Sequence, residues 1–320
     1  MVKVGIAGGA GYTAGELTRL LLCHPEAEIR YIASESHAGE HVSSVHADLL
    51  WCDLHFSEID FNDIDVLFLC MGHGVSQAYL ESHSIPESVK IIDLGNDFRL
   101  AKDAGDFIYG LPEVSRDEIK KAKHIANPGC FATSIELGLL PLVAANLAPE
   151  QVTVVGITGS TGAGQKPTND THFSNRTANL SNYKIFTHQH LAEIGETLTK
   201  SGGSIVPDIA FVPVRGCHSR GIFSDIVVRT DASLEEIKEL YKNYYANHPF
   251  VCVSDKAIYM KQVVNTNFCY IHLAKEGDKL LITSTIDNLL KGASGQAVQN
   301  MNLMCGLDEC CGLKLKANYF

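Results

Sequence analysis

The chain has 320 residues, of which 45% are hydrophobic and 20% charged, with a formal net charge of −11. This composition is typical of a globular protein with an ample core, and the length favours two domains. The acidic balance argues against a nucleic-acid-binding surface. No signal peptide precedes the first strand, and no apolar run reaches the about 18 residues of a membrane helix. The spacing of the ten cysteines does not match a disulfide framework, which predicts reduced thiols in a cytoplasmic protein.

The first segment predicts a dinucleotide-binding unit. An apolar strand over residues 2–7 ends in a glycine-rich turn, and helical apolar spacing follows from Glu16. Gly8 and Gly11 allow a tight turn and a close approach of the pyrophosphate, while the helix N-terminus offers N–H groups to its phosphates. The pattern is a Gly-x-x-Gly-x-x-Ala variant that also occurs in folds without a nucleotide. Its place at the start of the chain strengthens the interpretation.

The residues after the second strand, 28–33, bear on the choice of cofactor. In such folds an acidic side chain here favours NAD, whereas hydroxyl or basic groups accommodate a 2′-phosphate. The sequence offers Ser34, Glu35 and Ser36. The two serines favour a phosphate and Glu35 opposes one, so the residues alone leave the choice open.

Two further apolar runs, residues 65–70 and 89–94, read as buried parallel strands. His73 and Gly74 follow the first run, at the end where ligands bind in open α/β sheets. His73 either lines a cofactor site or is an ordinary loop histidine, and the sequence does not decide between these roles.

The chemistry centres on the stretch from His124 to Ser134, which predicts a strand, a Pro-Gly turn and a helix. Cys130 lies at that junction, where unpaired N–H groups and the helix dipole stabilise a thiolate. The alternative is a small buried cysteine in an ordinary turn. The Asn127-Pro-Gly-Cys130 setting favours a nucleophile.

From Gln151 the pattern changes to β-branched alternation, which predicts antiparallel strands, with a polar glycine-rich loop at 159–166. The loop lacks the ending of a Walker motif. The predicted fold is α/β: a Rossmann-type doubly wound nucleotide domain over 1–150, and an α+β domain over 151–287 with a mostly antiparallel sheet. Small residues from about 288 to 320 predict a helix that returns to the nucleotide domain.

Taken together, these motifs resemble those of the N-acyl-γ-glutamyl-phosphate reductases of arginine biosynthesis. The matching segments are Gly8 to Leu17, Gly74 to Ser76, Asp97 to Leu100, Tyr109 to Glu113, Asn127 to Cys130, Gly159 to Gly164, His188 to Ile194 and Asp287 to Asn300. They follow the family order over nearly the whole chain. The resemblance implies reduction of an acyl phosphate with NADPH, a fold like that of glyceraldehyde-3-phosphate dehydrogenase, and a homo-oligomer, dimer or tetramer.

The resemblance also implies roles for individual residues. Cys130 is the predicted nucleophile that forms a thioester, and an imidazole near the sulfur pairs with the thiolate and protonates the oxyanion. His188 is ranked first for that role and His190 second, on one face of an extended segment. His218 is third, because its turn resembles the catalytic histidine motif of aspartate-semialdehyde dehydrogenases. A metal on the His-x-His pair is not expected, since no third ligand has convincing spacing.

The predicted binding residues fall into two groups. Substrate contacts are expected from Asn127, Arg99, Arg215 and Arg220, because guanidinium groups suit carboxylates and phosphates; surface solvation is the alternative for the last two. NADP(H) contacts are expected from Gly8, Gly11, Tyr12, Thr13, Ala14, Ser34, Ser36, His73, Gly74, Gly162 and Asn288.

Two other functions compete with the acyl-glutamyl-phosphate reductase. An aspartate-semialdehyde dehydrogenase would carry out the same chemistry on a shorter substrate, and the Asp97-Phe-Arg-Leu100 and Tyr109-Gly-Leu-Pro-Glu113 segments argue against it. A non-catalytic redox sensor on a dinucleotide fold is the second, and the intact Cys130 with its histidines argues against that. The acyl group, whether acetyl, succinyl or carrier-bound, is left open.

Overall fold

The computed structural model describes residues 1–72, 74–202 and 207–320. The helices in chain order are α1 Tyr12–Leu22, α2 Ser76–Ser82, α3 Pro112–Ile119, α4 Cys130–Ala144, α5 Phe173–Arg176, α6 His190–Lys200, α7 Leu234–Tyr245 and α8 Gly295–Met304. The strands are β1 Val2–Ala7, β2 Ala27–Ala33, β3 Val66–Leu69, β4 Lys90–Asp93, β5 Ile108–Tyr109, β6 His124–Ala126, β7 Gln151–Thr158, β8 Ser181–Asn182, β9 Asp208–Arg215, β10 Ile222–Arg229, β11 Val251–Ser254, β12 Cys269–Glu276 and β13 Lys279–Ile286.

The chain forms two compact units, residues 1–128 with 293–314 and residues 129–292 with 315–320. The expected functional boundary near residue 150 differs from this division. The reason is that α4 packs on strands of the second unit: the Ser134 hydroxyl lies 3.0 Å from that of Ser224, and Gly138 leaves room for Ile226. The roles assigned to the predicted domains stay a prediction.

The first unit is built on a six-stranded sheet in the order β2-β1-β3-β4-β6-β5. Every pairing between these described strands is parallel. All four residues of β3 are buried, as a strand covered on both faces requires. The α/β class and the Rossmann-type arrangement predicted from the sequence are confirmed.

The second unit contains a seven-stranded sheet in the order β11-β12-β13-β10-β7-β9-β8. Its pairings are mostly antiparallel, but β11 with β12 and β7 with β9 are parallel. The buried residues of β7 alternate strictly with exposed ones over its first six positions. One face of this sheet is therefore covered and the other is open, as the predicted pattern indicates.

Helix α4 contains Pro141, which cannot donate to the Leu137 carbonyl one turn earlier. The hydroxyl of Tyr245 on α7 donates to that carbonyl at 2.5 Å. The neighbouring Gly138 carbonyl accepts from the Tyr241 hydroxyl at 2.6 Å. Two tyrosines of α7 thus satisfy the carbonyls that the proline disturbs, so the helix stays intact.

Candidate active site

The glycine turn of the first unit has the geometry that the dinucleotide motif requires. Gly8 adopts φ +78°, and a Cβ there would lie 2.8 Å from the Cys70 carbonyl. Gly11 is the N-cap of α1 and brings no capping side chain. Gly8 and Gly11 therefore form a tight turn before the first helical residues Tyr12, Thr13 and Ala14, whose N–H groups have no acceptor within the helix and are suited to phosphates.

The residues after β2 converge on a second part of the predicted cofactor site. The hydroxyls of Ser34 and Ser36 lie 3.4 Å apart. Glu35 is exposed. Burial, followed by the charge of Glu35, raises the pKa of Tyr79. Binding of one shared ligand by these two serines stays a prediction.

The loop after β3 is only partly described. Gly74 has φ +80°, and its N–H donates to Asp97 Oδ1 at 2.6 Å. Asp97 also accepts from Gln77 N at 3.1 Å, so it caps α2. The Gly74 N–H is therefore already engaged by the protein. The predicted cofactor residue His73 lies outside the described residues.

Two predicted substrate residues, Arg99 and Asn127, are bonded within the first unit. Arg99 is 8% exposed and donates from Nε to the Asn127 carbonyl at 2.9 Å. The Asn127 amide donates to the Ala293 carbonyl at 3.0 Å and accepts from Asn300 at 3.1 Å. These contacts brace the segment before the Pro-Gly turn. Substrate contact by either residue stays a prediction.

The backbone before Cys130 faces a histidine and a carboxylate. Gly129 is the N-cap of α4, and its N–H donates to Glu193 Oε2 at 3.0 Å. A Cβ on Gly129 would lie 2.5 Å from His190 Nε2. The other carboxylate oxygen of Glu193 lies 3.8 Å from His190 Nε2. His190 and Glu193 therefore both lie at the N-terminus of α4, whose first residue is Cys130.

His188 lies in an aromatic cage. Its ring centroid is 5.7 Å from that of Phe131, 5.5 Å from Phe211 and 4.6 Å from His190. Burial, and secondarily the Lys184 charge, lowers the pKa of His188 to about 4, so the ring is neutral at pH 7. Its Nδ1 accepts from the His190 N–H at 3.2 Å.

The prediction of an extended segment at this histidine pair is wrong. Gln189 has φ −57° and ψ −26°, and α6 begins at His190. The two rings are neighbours because the chain turns into the helix there, rather than because they share one face of a strand.

Tyr183 is a candidate that the sequence reasoning missed. The Arg215 guanidinium lies 4.7 Å above its ring. Burial, followed by the charge of Cys130, raises the pKa of Tyr183 well above its ordinary value. The phenol and the Arg215 charge therefore lie in the electrostatic environment of the thiol.

Arg220 and His218 have other surroundings. Arg220 Nε donates to Asp287 Oδ2 at 3.1 Å, and this carboxylate is fully buried. The positive charge of Arg220 is thus balanced by Asp287 within the second unit. His218 is folded into its own turn against Gly216, and burial lowers its pKa.

Asn288 links the glycine-rich loop, residues 159–166, to the 215–221 turn by two hydrogen bonds. Its Oδ1 accepts from Gly221 N at 2.7 Å, and its Nδ2 donates to Thr161 Oγ1 at 3.0 Å. A Cβ on Gly162 would lie 3.9 Å from the same amide. The predicted cofactor residues Gly162 and Asn288 are therefore neighbours, and the amide of Asn288 has partners in the protein.

The described part of the chain contains no group of three or more His, Cys, Asp or Glu side chains placed to hold a metal ion. No helix in the described ranges is long and apolar enough to cross a membrane. All ten cysteines are free thiols.

Comparison with protein families assigns both halves of the chain. Residues 3–122 match the family described as "Semialdehyde dehydrogenase, NAD binding domain". Residues 130–288 match "Semialdehyde dehydrogenase, dimerisation domain". The fold and the cysteine–histidine site thus define a protein of the semialdehyde dehydrogenase class.

Full-length relatives narrow this class. The chain is 57% identical to N-acetyl-gamma-glutamyl-phosphate reductase of Bacteroides fragilis, with 100% of both chains covered. It is 50% identical to the reductase of that name from Flavobacterium johnsoniae, again with 100% of both covered. The chain belongs to the N-acetyl-gamma-glutamyl-phosphate reductase family.

Solved structures support the fold at lower identity. Aspartate semialdehyde dehydrogenase II of Vibrio cholerae, complexed with ASA, has a TM-score of 0.73 at 17% identity, covering 96% of this chain and 98% of that one. The Candida albicans aspartate semialdehyde dehydrogenase, solved with NADP, has a TM-score of 0.72 at 16% identity, with 95% and 99% covered. At these identities the likeness establishes the fold alone.

Proposed function

We propose that the chain reduces N-acetyl-γ-glutamyl phosphate with NADPH to N-acetyl-glutamate 5-semialdehyde and phosphate, in arginine biosynthesis. The observation that carries this proposal is the helix entrance at Cys130, where Gly129 is held by Glu193 beside His190. The name shared by the full-length relatives supports the acetyl group. The free state of all ten thiols supports a reducing, cytoplasmic location.

Cys130 is the proposed nucleophile. Its place as the first residue of α4 sets the sulfur against the positive end of a 15-residue helix, which stabilises the thiolate. The thiolate attacks the acyl carbonyl, phosphate leaves, and the acyl group is held as a thioester on the sulfur. NADPH, when bound, supplies the hydride that reduces the thioester. Collapse of the resulting thiohemiacetal releases the aldehyde and the free thiol.

The geometry favours His190 as the acid–base group, although the sequence ranks His188 first. His190 lies against Gly129 and faces the Glu193 carboxylate, which stabilises an imidazolium when His190 takes a proton. His188 has a strongly lowered pKa and an aromatic surround, which suit a neutral ring. We assign the proton transfer to His190. We assign to His188 the positioning of His190, because the backbone N–H of His190 donates to the His188 ring.

The first unit is the proposed NADP(H) domain. Its glycine turn, with Gly8 in a positive-φ conformation, leaves room for a pyrophosphate. The paired hydroxyls of Ser34 and Ser36 are the proposed donors to the 2′-phosphate. Because Glu35 is exposed beside Tyr79, its carboxylate can turn away from that phosphate.

Arg215 is the proposed partner of the substrate anion. Its guanidinium lies 4.7 Å from the centre of the Tyr183 ring, a cation–π contact that helps to orient the group. Arg220, bound to buried Asp287, is better suited to holding the 215–221 turn. Asn127 and Arg99 are bonded to each other within the first unit, which fixes the segment that precedes the Pro-Gly turn.

A two-substrate assay tests the function. Purified chain is given NADPH with N-acetyl-γ-glutamyl phosphate or with β-aspartyl phosphate, and the reverse reaction is run with each semialdehyde, NADP⁺ and phosphate. We expect turnover with the acetyl-glutamyl pair, and a loss of nearly all of it in Cys130→Ser, whose hydroxyl lacks thiolate character. Cys217→Ser, at an exposed thiol, is the matched control. Preference for the aspartyl pair, or no turnover with either, would refute the proposal.

We also propose a homo-oligomer formed through the open face of the second sheet. Four outward residues on neighbouring strands are apolar and surround Asp225: Val155 is 41% exposed and Val227 43% exposed, and Phe223 and Leu281 are half-buried. The match of this unit to a dimerisation domain supports a second copy as the occupant. Sedimentation of Val227→Asp should show smaller particles than the unmodified chain, whereas an unchanged size would refute this face.

A further inference from the structure

His46 is a buried histidine that the proposed mechanism does not use. It lies between two 3₁₀ turns, Val42–Ser44 and Ala47–Leu49, in the long connection from β2 to β3. It is 5% exposed, and its ring packs on α1 at Gly15, where a Cβ would lie 2.6 Å from Nδ1. A glycine in the helix is therefore needed for the ring to sit there.

The ring makes one hydrogen bond to the dinucleotide turn. Its Nε2 lies 2.8 Å from the Gly9 carbonyl oxygen. A carbonyl can only accept, so Nε2 carries the proton and donates. Burial lowers the pKa of His46, which keeps the ring in the neutral form that this bond already accommodates.

This bond sets the direction of the next N–H group. The peptide bonds of the described chain are trans, so the Gly9 carbonyl and the Ala10 N–H point to opposite sides of one plane. With the carbonyl held toward His46, the Ala10 N–H points away from the histidine.

The N–H groups on either side of Ala10 are already engaged. Gly9 N–H donates to the Ala33 carbonyl at 2.7 Å, and Gly11 N–H donates to the Gly8 carbonyl at 3.4 Å. Ala10 N–H has no acceptor among the described residues. Between Gly9 and Gly11 it is thus the donor left for a ligand, beside the N–H groups of the first turn of α1, and a half-buried donor at a glycine turn favours a phosphate oxygen.

We propose that His46 is a positioning residue for the cofactor: by holding the Gly9 carbonyl, it aims the Ala10 N–H at the pyrophosphate of the bound dinucleotide. This inference rests on the proposed NADP(H)-dependent function. His46 bonds to the Gly9 carbonyl and not to Cys130, Ser34 or Ser36, so its removal should weaken phosphate recognition and leave the chemical step intact.

The test compares side chains that reach the carbonyl with side chains that do not. Gln places an amide N–H near the position of histidine Nε2, whereas Asn is too short, and Leu keeps bulk without a donor. His41 is the matched control, because it lies in the same connection and its Nε2 bonds instead to the Cys52 carbonyl at 2.7 Å. Dissociation constants for NADPH are measured by fluorescence titration on the full chain, together with kcat and both KM values.

We expect His46→Leu and His46→Asn to weaken NADPH binding by about 3- to 10-fold, the usual worth of one hydrogen bond. His46→Gln should restore most of the affinity, and His41→Leu should leave it unchanged. The KM for NADPH should rise in step, with kcat and the KM for the acyl phosphate nearly constant. Binding of adenosine 2′-monophosphate, which has no pyrophosphate, should not respond.

Three results would overturn the inference: equal NADPH affinity in His46→Asn and His46→Gln, an equal loss in His41→Leu, or a parallel loss for adenosine 2′-monophosphate. If His46→Leu does not fold, the comparison of Asn with Gln decides. Failure of the proposed function is recognised separately, because the unmodified chain would then bind no NADPH or turn over no acyl phosphate.

Discussion

The carboxylate of Glu193 accepts a hydrogen bond of 3.0 Å from the backbone N–H of Gly129, the residue that precedes the proposed nucleophile Cys130. Glu193 is 4% exposed, and its other oxygen faces His190. One buried carboxylate therefore holds the entrance of α4 and supports the histidine beside it.

Replacing this carboxylate with an amide should slow the reaction. Glu193→Gln keeps the shape but weakens the charged hydrogen bond and removes the anion that supports a protonated His190. We expect kcat to fall by about 10- to 100-fold, the worth of one charge-assisted hydrogen bond. The measurement is steady-state kinetics, with the rate of Cys130 alkylation by iodoacetamide as a second readout. Glu196→Gln, exposed on the same helix, is the control; an equal loss there would contradict the assignment.

The three histidines should separate in their kinetics. His190→Asn should lower kcat by about 10²- to 10⁴-fold, as loss of a positioned acid–base group does. His188→Asn should have a smaller effect, through the placement of His190, and His218→Asn should act mainly on KM. If His188→Asn abolished turnover while His190→Asn kept it, the ranking from the sequence would replace the one favoured by the geometry.

The depressed pKa of His188 predicts a pH dependence of stability. The folded protein holds the ring neutral down to about pH 4, whereas the unfolded chain takes up its proton near 6.5. Between these values the unfolded state binds more protons, so the contribution is fully present above pH 6.5 and is lost as pH falls toward 4. The loss is at most about 3 kcal/mol.

Denaturant unfolding at several pH values checks this expectation. His188→Asn should show a flatter dependence of unfolding free energy on pH between 6.5 and 4 than the unmodified chain. His172→Asn, at an exposed histidine, should reproduce the unmodified slope. Identical slopes in all three proteins would show that the ring is not held neutral.

The bond between Tyr245 and the Leu137 carbonyl should stabilise the nucleophile helix. Tyr245→Phe leaves a buried carbonyl without a donor, at a cost of about 1–2 kcal/mol. In a Pro141→Ala background the restored N–H can donate to the same carbonyl, so the cost should shrink by about 1 kcal/mol. Chemical denaturation of the four proteins of this cycle measures the coupling. Tyr319→Phe, at an exposed tyrosine, is the control, and strict additivity would contradict the compensation.

The serine pair should decide the cofactor. Ser34→Ala with Ser36→Ala should raise the KM for NADPH by about 10-fold or more, because two donors to a charged phosphate are lost. The KM for NADH, which has no 2′-phosphate, should barely change. The measurement is the KM for NADPH and the KM for NADH, each determined for the unmodified chain and for the double variant. A preference of the unmodified chain for NAD(H) would instead make Glu35 the ribose ligand.

The sequence by itself was sufficient for the features that depend on local pattern. A strand, a glycine turn and a helix predict a dinucleotide unit because backbone freedom and apolar period are encoded within a few neighbouring residues. The Asn-Pro-Gly-Cys stretch predicts a thiol at a helix start for the same reason, and the structure begins α4 at Cys130.

Only the tertiary structure decided which distant groups meet. Glu193 and Gly129 are 64 positions apart, Asn300 and Asn127 are 173 apart, and His46 and Gly9 are 37 apart. A hydrogen bond between such residues leaves no period in the sequence, because it depends on how strands and helices pack rather than on local spacing. The division at residue 128 follows from the packing of α4 on the second sheet, and the helix that begins at His190 packs on α4 in turn, so tertiary packing and not propensity determines where each element belongs.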